Sequence, residues 1–385
     1  MNQPNEGYHW PTTEQELLLK AALLTGEEAI AAWKQWAASV DFDLLDAGSQ
    51  RLLPLLYRNL AKQGIEHPAL AIYKGFYRMT WYKNQLLRHR LSRVLRLLCS
   101  RGIPAVFLKG AAMAQLYYQD WALRPMNDFD LLVPQEKALQ AVDLLCGDGW
   151  SPNLRTPDAE DLKIRHAVTL VDGSGMEFDL HWRVILEWGV NHFEQRMKHD
   201  YSKIRFNGVD AYALSPTDQL FHTLIHGARW NAVAPLRWIP DAIMILREAG
   251  ADIQWPRLLR QARERGQMIA LRKTMTYLQE QFRAPVPAVI MKEIATLQPS
   301  VAERMEFWMH NRPRGFVRDA LYLWFMHVRS SESENDGKRL LGFPSFLRRF
   351  WRLPAEKSLA LFLGVRLIRK ITRGGGQESS TKEIF

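Results

Sequence analysis

The spacing of apolar residues divides the chain into long helical flanks around a short segment of strand-like runs. Apolar positions recur every three or four residues through most of the first hundred residues, and again after residue 215, which predicts amphipathic helices. The first predicted helix, TEQELLLKAALL, opens at Thr13 and carries Glu16 three residues later, the spacing of a capping box. Gly64 and Gly102 follow two further helical segments, where glycine commonly ends a helix.

Between residue 103 and about residue 185 the period changes, because short apolar runs alternate with helical segments. The pattern predicts, in chain order, strand IPAVFLKG, helix AAMAQLYY, strand DFDLLV, helix PQEKALQAVDLLCGDG and strands HAVTLV and MEFDLHWRV, joined by the turn DGSG. This β-α-β-α-β-β order predicts an α+β fold. We expect a small mixed β-sheet core with helices on one side, embedded between N-terminal and C-terminal helical regions.

Changes of composition predict where these regions begin and end. The polar stretch SSESENDGK is typical of a linker, and the glycine-rich end of the chain is typical of a disordered tail. The predicted regions are an N-terminal helical region (1–102), the strand-containing core (103–215), a helical domain (216–330), a basic, aromatic-rich helical region (331–373) and the tail (374–385).

The charge of the chain is concentrated near its C-terminus. The net charge of the 385 residues is +10, and residues 312–373 hold 14 Lys and Arg but 5 Asp and Glu. A segment of this kind binds nucleic acid, acidic lipid or an acidic protein surface, unless it is a helical region with a solvated basic face. We consider in particular that residues 338–373 contact an acidic partner or lie peripherally on a membrane.

Cysteine usage and hydropathy exclude other classes of protein. Two cysteines cannot build a disulfide framework, so a reducing compartment is expected. The sequence shows no signal-peptide pattern and no apolar run of about 18 residues. The predicted location is therefore cytoplasmic, with the inner face of a membrane as the peripheral alternative.

Three aspartates form the candidate catalytic and metal-binding group. Asp128 and Asp130 are separated by Phe129, and Asp179 lies in the later strand FDLHW. Glu177 shares the face of Asp179 and is the alternative third ligand, but Asp179 lies further into the apolar run. Residues two apart in a strand point to the same face, so the first two carboxylates are expected to project together. Oxygen ligands in this arrangement suit Mg²⁺ or Mn²⁺, and three carboxylates from two strands predict a site that can hold two such ions.

A phosphate-binding side is predicted just upstream. Lys109 and Gly110 end the first predicted strand, and Ala111 begins a helix whose first turn offers unpaired N–H groups to an anion. Arg124 is expected to add a charge-assisted contact. His181 shares the face of the third aspartate, so it is predicted to contact phosphate or to orient the metal site, with a purely structural role as the alternative.

A second group of polar residues lies in the helical domain. His222 and His226 are four apart on a predicted helix, a spacing compatible with zinc, but no third ligand accompanies them. The interpretation that we carry forward places His226 in a cleft together with Arg229, Arg237 and Asp241, as part of the nucleotide or acceptor pocket.

The segments FLKGAAMAQLYYQDWALRPMNDFDLLVP and FDLHWRV together resemble the bacterial family of uncharacterised nucleotidyltransferases, which belongs to the superfamily with a DNA polymerase β-like catalytic core. The resemblance covers roughly residues 100–250 and includes LIHGARW and LRWIPDAIMIL. Two features depart from the superfamily pattern. Gly110-Ala111 stands where Gly-Gly or Gly-Ser is usual, and a longer spacer, YYQDWALRPMN, precedes the first aspartate as a lid or a phosphate-contacting loop.

The resemblance implies an Mg²⁺-dependent nucleotidyltransferase that moves a nucleoside monophosphate from a nucleoside triphosphate (NTP) to a hydroxyl or phosphate acceptor and releases pyrophosphate. Peptide, small molecule, sugar phosphate and RNA all remain open as acceptors. One alternative is a catalytically weak protein that binds nucleotide or a partner and docks through its basic C-terminal helices. A second alternative is a glycosyltransferase with an Asp-x-Asp motif, which is disfavoured because helices stand where such folds need an upstream α/β half.

Overall fold

The predicted α+β class with a mixed sheet is confirmed by the structure, a computed structural model that describes residues 10–185, 201–229, 236–311, 315–330, 336–354 and 356–372. The predicted tail, 374–385, lies outside the described residues. The described helices are α1 (Thr13–Leu23), α2 (Gly26–Ser39), α3 (Ala47–Gln50), α4 (Leu53–Lys62), α5 (Ala69–Ser100), α6 (Lys109–Met113), α7 (Ala138–Gly147), α8 (Ala159–Ile164), α9 (Pro216–Gly227), α10 (Trp238–Ala249), α11 (Trp255–Glu264), α12 (Met268–Phe282), α13 (Ala288–Thr296), α14 (Val301–His310), α15 (Phe316–Ser330), α16 (Asp336–Phe350) and α17 (Leu359–Thr372).

Seven strands form one sheet in the order β3-β4-β5-β2-β1-β7-β6. Strands β2 and β5 are parallel, as are β1 and β7, and the other neighbouring pairs are antiparallel. The strands are β1 (Val106–Leu108), β2 (Asp130–Leu132), β3 (Trp150–Pro152), β4 (Ala167–Asp172), β5 (Glu177–His181), β6 (Ser202–Phe206) and β7 (Val209–Ala213); short 3₁₀ helices span Phe42–Leu44, Gln135–Lys137 and Gly250–Asp252, and a π-helical turn spans Ala114–Tyr118.

Strands β3, β6 and β7 are additional to the four strands that the sequence predicted. The hairpin of β6 and β7 turns at Asn207 and Gly208, which both have positive φ angles (47° and 82°). Such a pair of angles is typical of a type I′ turn, for which Asn-Gly is a favoured sequence. The dipeptide between two alternating runs was therefore a usable signal, and the hairpin extends the sheet beyond β1.

The two faces of the sheet have different partners. On one face Phe107, Leu131 and Phe178 pack against α5 and α7 in a continuous apolar cluster. On the other face Leu108 and Leu132 belong to a second cluster, which they share with the N-terminal helices and with α9 and α10. The alternation of side chains along each strand thus directs the odd residues of β2 into the first core and leaves Asp130 on the second face.

The start of α1 differs by one residue from the predicted capping box. Thr12, and not Thr13, is the N-cap, and its hydroxyl accepts from the backbone N–H of Gln15, whose side chain accepts from the N–H of Thr12 in return. Gln15 therefore fills the role that was predicted for Glu16. A Thr-Thr pair followed by Gln-Glu offers the same motif in two registers, and the pattern of buried residues selects between them.

The basic C-terminal region is anchored to the core through acidic side chains of α8. The Arg352 guanidinium lies 2.6 Å from a carboxylate oxygen of Asp158 and 2.6 Å from one of Asp161. Ile164, at the end of α8, packs with Phe346 and Leu347 of α16 in a third apolar cluster. Part of the positive charge in this region is thus compensated within the chain.

Within the part of the chain that the structure describes, none of the helices combines the length and the apolar character needed to cross a membrane.

We predict that Gly227→Ala destabilises the protein. A Cβ atom at Gly227 would overlap the ring of Trp238, the first residue of α10, whereas one at Gly75, inside α5, would meet open space. Forcing atoms into a packed contact costs about 1–3 kcal/mol. Urea unfolding of Gly227→Ala should show a loss of that size. Gly75→Ala is the matched control, which should be neutral or stabilising by up to about 1 kcal/mol, since alanine favours helix; an equal effect of both substitutions would contradict the packing argument.

Candidate functional site

Two of the predicted aspartates lie side by side in the centre of the sheet. Asp130 is the register partner of Asp179 in the parallel pair β2 and β5. The same cross-strand row continues to Leu108 on one side and to Thr169 on the other. The Thr169 hydroxyl donates a hydrogen bond of 2.6 Å to the Asp179 carboxylate, which fixes its orientation. The register therefore sets two carboxylates against each other on one face.

His181 completes a compact group of donors with these aspartates. One ligand atom from each of Asp130, Asp179 and His181 lies within 4.8 Å of the other two. The His181 Nε2 atom is 3.1 Å from an oxygen of Asp130, and both side chains are buried. Two carboxylates and an imidazole are suitable ligands for a divalent cation, so the chemistry of the donor set fits a metal.

Lys109 supplies the positive charge at this group. Its Nζ atom lies 2.5 Å from Asp130, and its backbone adopts a positive φ of 42°, which is uncommon for a residue with a side chain. Burial alone would lower the pKa of Lys109, but the Asp130 carboxylate outweighs that effect and raises it. Conversely, burial would raise the pKa of Asp130, but Lys109 and His181 hold it well below its usual range. The lysine thus stays charged and the carboxylate ionised.

Asp128 occupies a different position from its sequence neighbour. It precedes the first residue of β2, and its side chain is exposed beside the group of donors. Its pKa is raised by burial of the carboxyl among the site's walls and by the charges of Asp130 and Asp179. The carboxyl is thus accessible to solvent and close enough to Asp130 and Asp179 for their charges to act on it, which places it at the rim of the group of donors. The sequence predicts that Asp128 and Asp130 project together; in the structure Asp130 lies within β2 and is buried, whereas Asp128 lies before β2 and is exposed.

Gly110 lies under the loop that precedes β2. A Cβ atom at this position would come within 2.6 Å of the Arg124 Nη1 atom and within 2.7 Å of the Met126 sulfur. Gly110 and Ala111 are both buried in the short helix α6. The space that a Cβ atom would need at Gly110 is therefore filled by the side chains of Arg124 and Met126.

Arg124 and Asp241 form a buried ion pair behind the site. The guanidinium donates from Nε at 2.9 Å and from Nη2 at 2.8 Å to the two oxygens of Asp241, and the Tyr118 hydroxyl donates a third bond of 2.9 Å. Burial alone would lower the pKa of Arg124, and Asp241 reverses that effect and raises it. Arg124, predicted to contact phosphate, and Asp241, predicted to line the cleft, are thus placed together as a link between the core and α10.

Two other predicted cleft residues, Arg237 and His226, differ in charge, since the arginine stays positive and the histidine is neutral near pH 7. Burial and the neighbouring Arg124 and Arg51 lower the pKa of Arg237 to about 10, and its Nη1 atom is 3.5 Å from the Pro125 carbonyl oxygen. Dense surroundings, followed by Lys109 and Arg229, lower the pKa of the accessible His226 to about 3. These groups surround the rim on which Asp128 lies.

His222 was predicted only as one half of a zinc-compatible pair. It is 2% exposed, its ring lies 5.8 Å from that of His226, and its Nε2 atom has no hydrogen-bond partner. Burial, followed by the charges of His226 and Lys109, holds its pKa well below the usual range. His222 is therefore a neutral ring behind the site.

Thr169 is a site residue that the sequence analysis missed. The predicted hairpin turn DGSG fixes the register of β4 against β5 and makes Thr169 the partner of Asp179. Counting residues outward from that turn would have found it.

We predict that the buried His222 makes stability depend on pH. In the unfolded chain the ring takes up a proton near pH 6.5, whereas the folded protein keeps it neutral, so the free energy of unfolding falls as the pH drops below that value. The contribution is at most about 1.4 kcal/mol per pH unit. His222→Leu lacks this titrating group. Urea unfolding should therefore show that, between pH 7 and pH 5, the free energy of unfolding falls less in the variant than in the parent protein. The same comparison for His89→Leu, at an exposed position of α5, is the control and should not show this difference.

A family model described as "Uncharacterised nucleotidyltransferase" matches residues 45–283. Among solved structures, the chain is similar to an antigenic nucleotidyltransferase-like protein from Paracoccidioides brasiliensis, with 16% sequence identity, a TM-score of 0.35 and coverage of 54% of this chain and 96% of that chain. No curated protein matches the chain.

Proposed function

Because the chain belongs to the family of uncharacterised nucleotidyltransferases, we propose that it transfers a nucleoside monophosphate from an NTP to a hydroxyl or phosphate acceptor in a reaction that depends on a divalent cation. The observation that carries this proposal is the register pairing of Asp130 with Asp179, with His181 beside them. Two carboxylates held against each other repel when both are charged, and a cation between them offsets that repulsion.

The residues of the core divide the work. Asp130 and Asp179 hold the cation from the sheet, and Asp128 approaches it from the rim of the cleft. When bound, the cation would stabilise the charge that develops on the triphosphate and on the departing pyrophosphate. Thr169 keeps the Asp179 carboxylate in position, since its hydroxyl donates to it at 2.6 Å. Lys109 compensates Asp130 while the nucleotide site is empty, and its flexible side chain is free to turn toward phosphate.

Arg237 is the proposed contact for the triphosphate. Burial, followed by the charges of Arg124 and Arg51, lowers its pKa, and the neighbouring Asp241 is already bonded to Arg124 at both oxygens. An anionic ligand at the rim would relieve that excess of positive charge, and a planar guanidinium matches phosphate oxygens well. Lys109 and Arg229 add to the positive potential on the same side.

We predict that Asp130→Asn and Asp179→Asn each abolish cation-dependent nucleotide binding. Isothermal titration with non-hydrolysable analogues of the four NTPs, with and without Mg²⁺ or Mn²⁺, measures this directly. Mutation of a residue that only supports a metal ligand lowers metal affinity about 10–100-fold. Removal of a ligand itself should lower it further. Asp210→Asn, at an exposed position of β7, is the matched control and should bind as the parent does.

Folding of each variant is checked by its unfolding midpoint. Absence of nucleotide binding by the folded parent protein would overturn the proposed function, and so would binding that survives both substitutions. Transfer is then followed with labelled NTP of the preferred base against peptide, sugar phosphate and RNA acceptors.

We predict that Arg237→Met weakens the binding of a triphosphate far more than that of a monophosphate. A hydrogen bond to a charged group contributes about 1.5–3 kcal/mol, so the Kd of the NTP analogue should rise about 10–100-fold while that of the NMP changes little. Arg205→Met, at an exposed position of β6, is the control for loss of positive charge. Equal losses for mono- and triphosphate would show that Arg237 acts on the fold of the cleft and not on the phosphates.

A further inference from the structure

The His181 ring is held in position by a contact at each of its two nitrogen atoms. It ends β5 two residues after Asp179, and it is 2% exposed. Its Nε2 atom lies 3.1 Å from Asp130 Oδ1, and its Nδ1 atom lies 3.3 Å from the backbone carbonyl oxygen of Arg183. Both ring nitrogens therefore face oxygen atoms.

The two nitrogen contacts define what the ring can do. A carbonyl oxygen only accepts hydrogen bonds, so Nδ1 carries the proton that is shared with Arg183. Nε2 is then directed at the Asp130 carboxylate 3.1 Å away, so a cation between the two atoms would have a ligand on each side. An Nδ1–H bonded to a backbone carbonyl, with Nε2 turned toward a cation, is the usual orientation of a histidine that binds metal.

The distance also fits a shared cation. Two ligands at right angles, each about 2.1 Å from an octahedral metal ion, lie about 3.0 Å from each other, close to the 3.1 Å between Nε2 and Asp130 Oδ1. A direct hydrogen bond from the ring to the carboxylate is the competing arrangement, and in it the imidazole would not coordinate a bound cation.

We propose that His181 is a direct metal ligand, so that the site takes two carboxylates and one imidazole and selects Mn²⁺, or another first-row divalent cation, over Mg²⁺. This inference rests on the proposed metal dependence and goes beyond it, since carboxylates alone would favour Mg²⁺. Magnesium is a hard cation with a strong preference for oxygen, whereas imidazole nitrogen suits the transition metals.

Pulsed electron paramagnetic resonance of the Mn²⁺-loaded protein tests the ligand directly, with no need for activity. A coordinated imidazole gives an electron spin echo modulation from ¹⁴N, and labelling of histidine with ¹⁵N changes that modulation in the unmutated, folded chain. The expected result is a directly coordinated histidine nitrogen that is lost in His181→Gln. His166→Gln is the matched control, because the His166 ring lies 5.4 Å from that of His181, and it should keep the signal.

Competition between the two ions gives a second readout. In His181→Gln the preference for Mn²⁺ over Mg²⁺ should fall by about 10-fold or more, by the scale of changes around metal ligands. Mn²⁺ bound without a histidine nitrogen signal, an unchanged ion preference in the variant, or no Mn²⁺ binding at all would each overturn the inference. The proposed function fails separately: nucleotide binding that needs a cation but shows no nitrogen ligand overturns this inference alone, and a nitrogen-ligated Mn²⁺ with no nucleotide binding overturns the function alone.

Discussion

The parallel register between β2 and β5 holds the Asp130 and Asp179 carboxylates against each other on one face of the sheet. Backbone hydrogen bonds fix this pairing, so the chain cannot separate the two charges by moving side chains alone. Three neighbouring side chains contact these two carboxylates. Lys109 brings a cation to Asp130, Thr169 donates to Asp179, and His181 turns a ring nitrogen toward the same pair.

The aspartates could be found from sequence because their signal is local. Asp128 and Asp130 interrupt an apolar run, and Asp179 does the same in a later strand, where alternation assigns each residue to a face. The cross-strand partnership of Asp130 with Asp179 was beyond local pattern, because it depends on which strands pair and in which register. The same limit explains why Arg124 was assigned to phosphate: its partner Asp241 lies 117 positions further along the chain.

Turn chemistry separates the elements that were predicted from those that were missed. The sequence predicts the turn DGSG between β4 and β5, in which Gly175 has a positive φ, but not the two-residue turn Asn207-Gly208, in which both residues do. The missed hairpin stands directly after residues outside the described ranges, and its strands alternate polar and apolar residues on a half-exposed edge. The displaced cap of α1 shows the complementary case, in which a repeated polar pair makes two registers equally compatible with the sequence.

The loop before β2 is held from two directions. The side-chain amide of Asn84, in α5, donates to the backbone carbonyl oxygens of Trp121 and Arg124. The Arg124 side chain donates to Asp241 at the start of α10. Asp128 leaves this loop only four residues after Arg124. The position of Asp128 therefore depends on two helices, α5 and α10, whereas that of Asp130 depends on the sheet register.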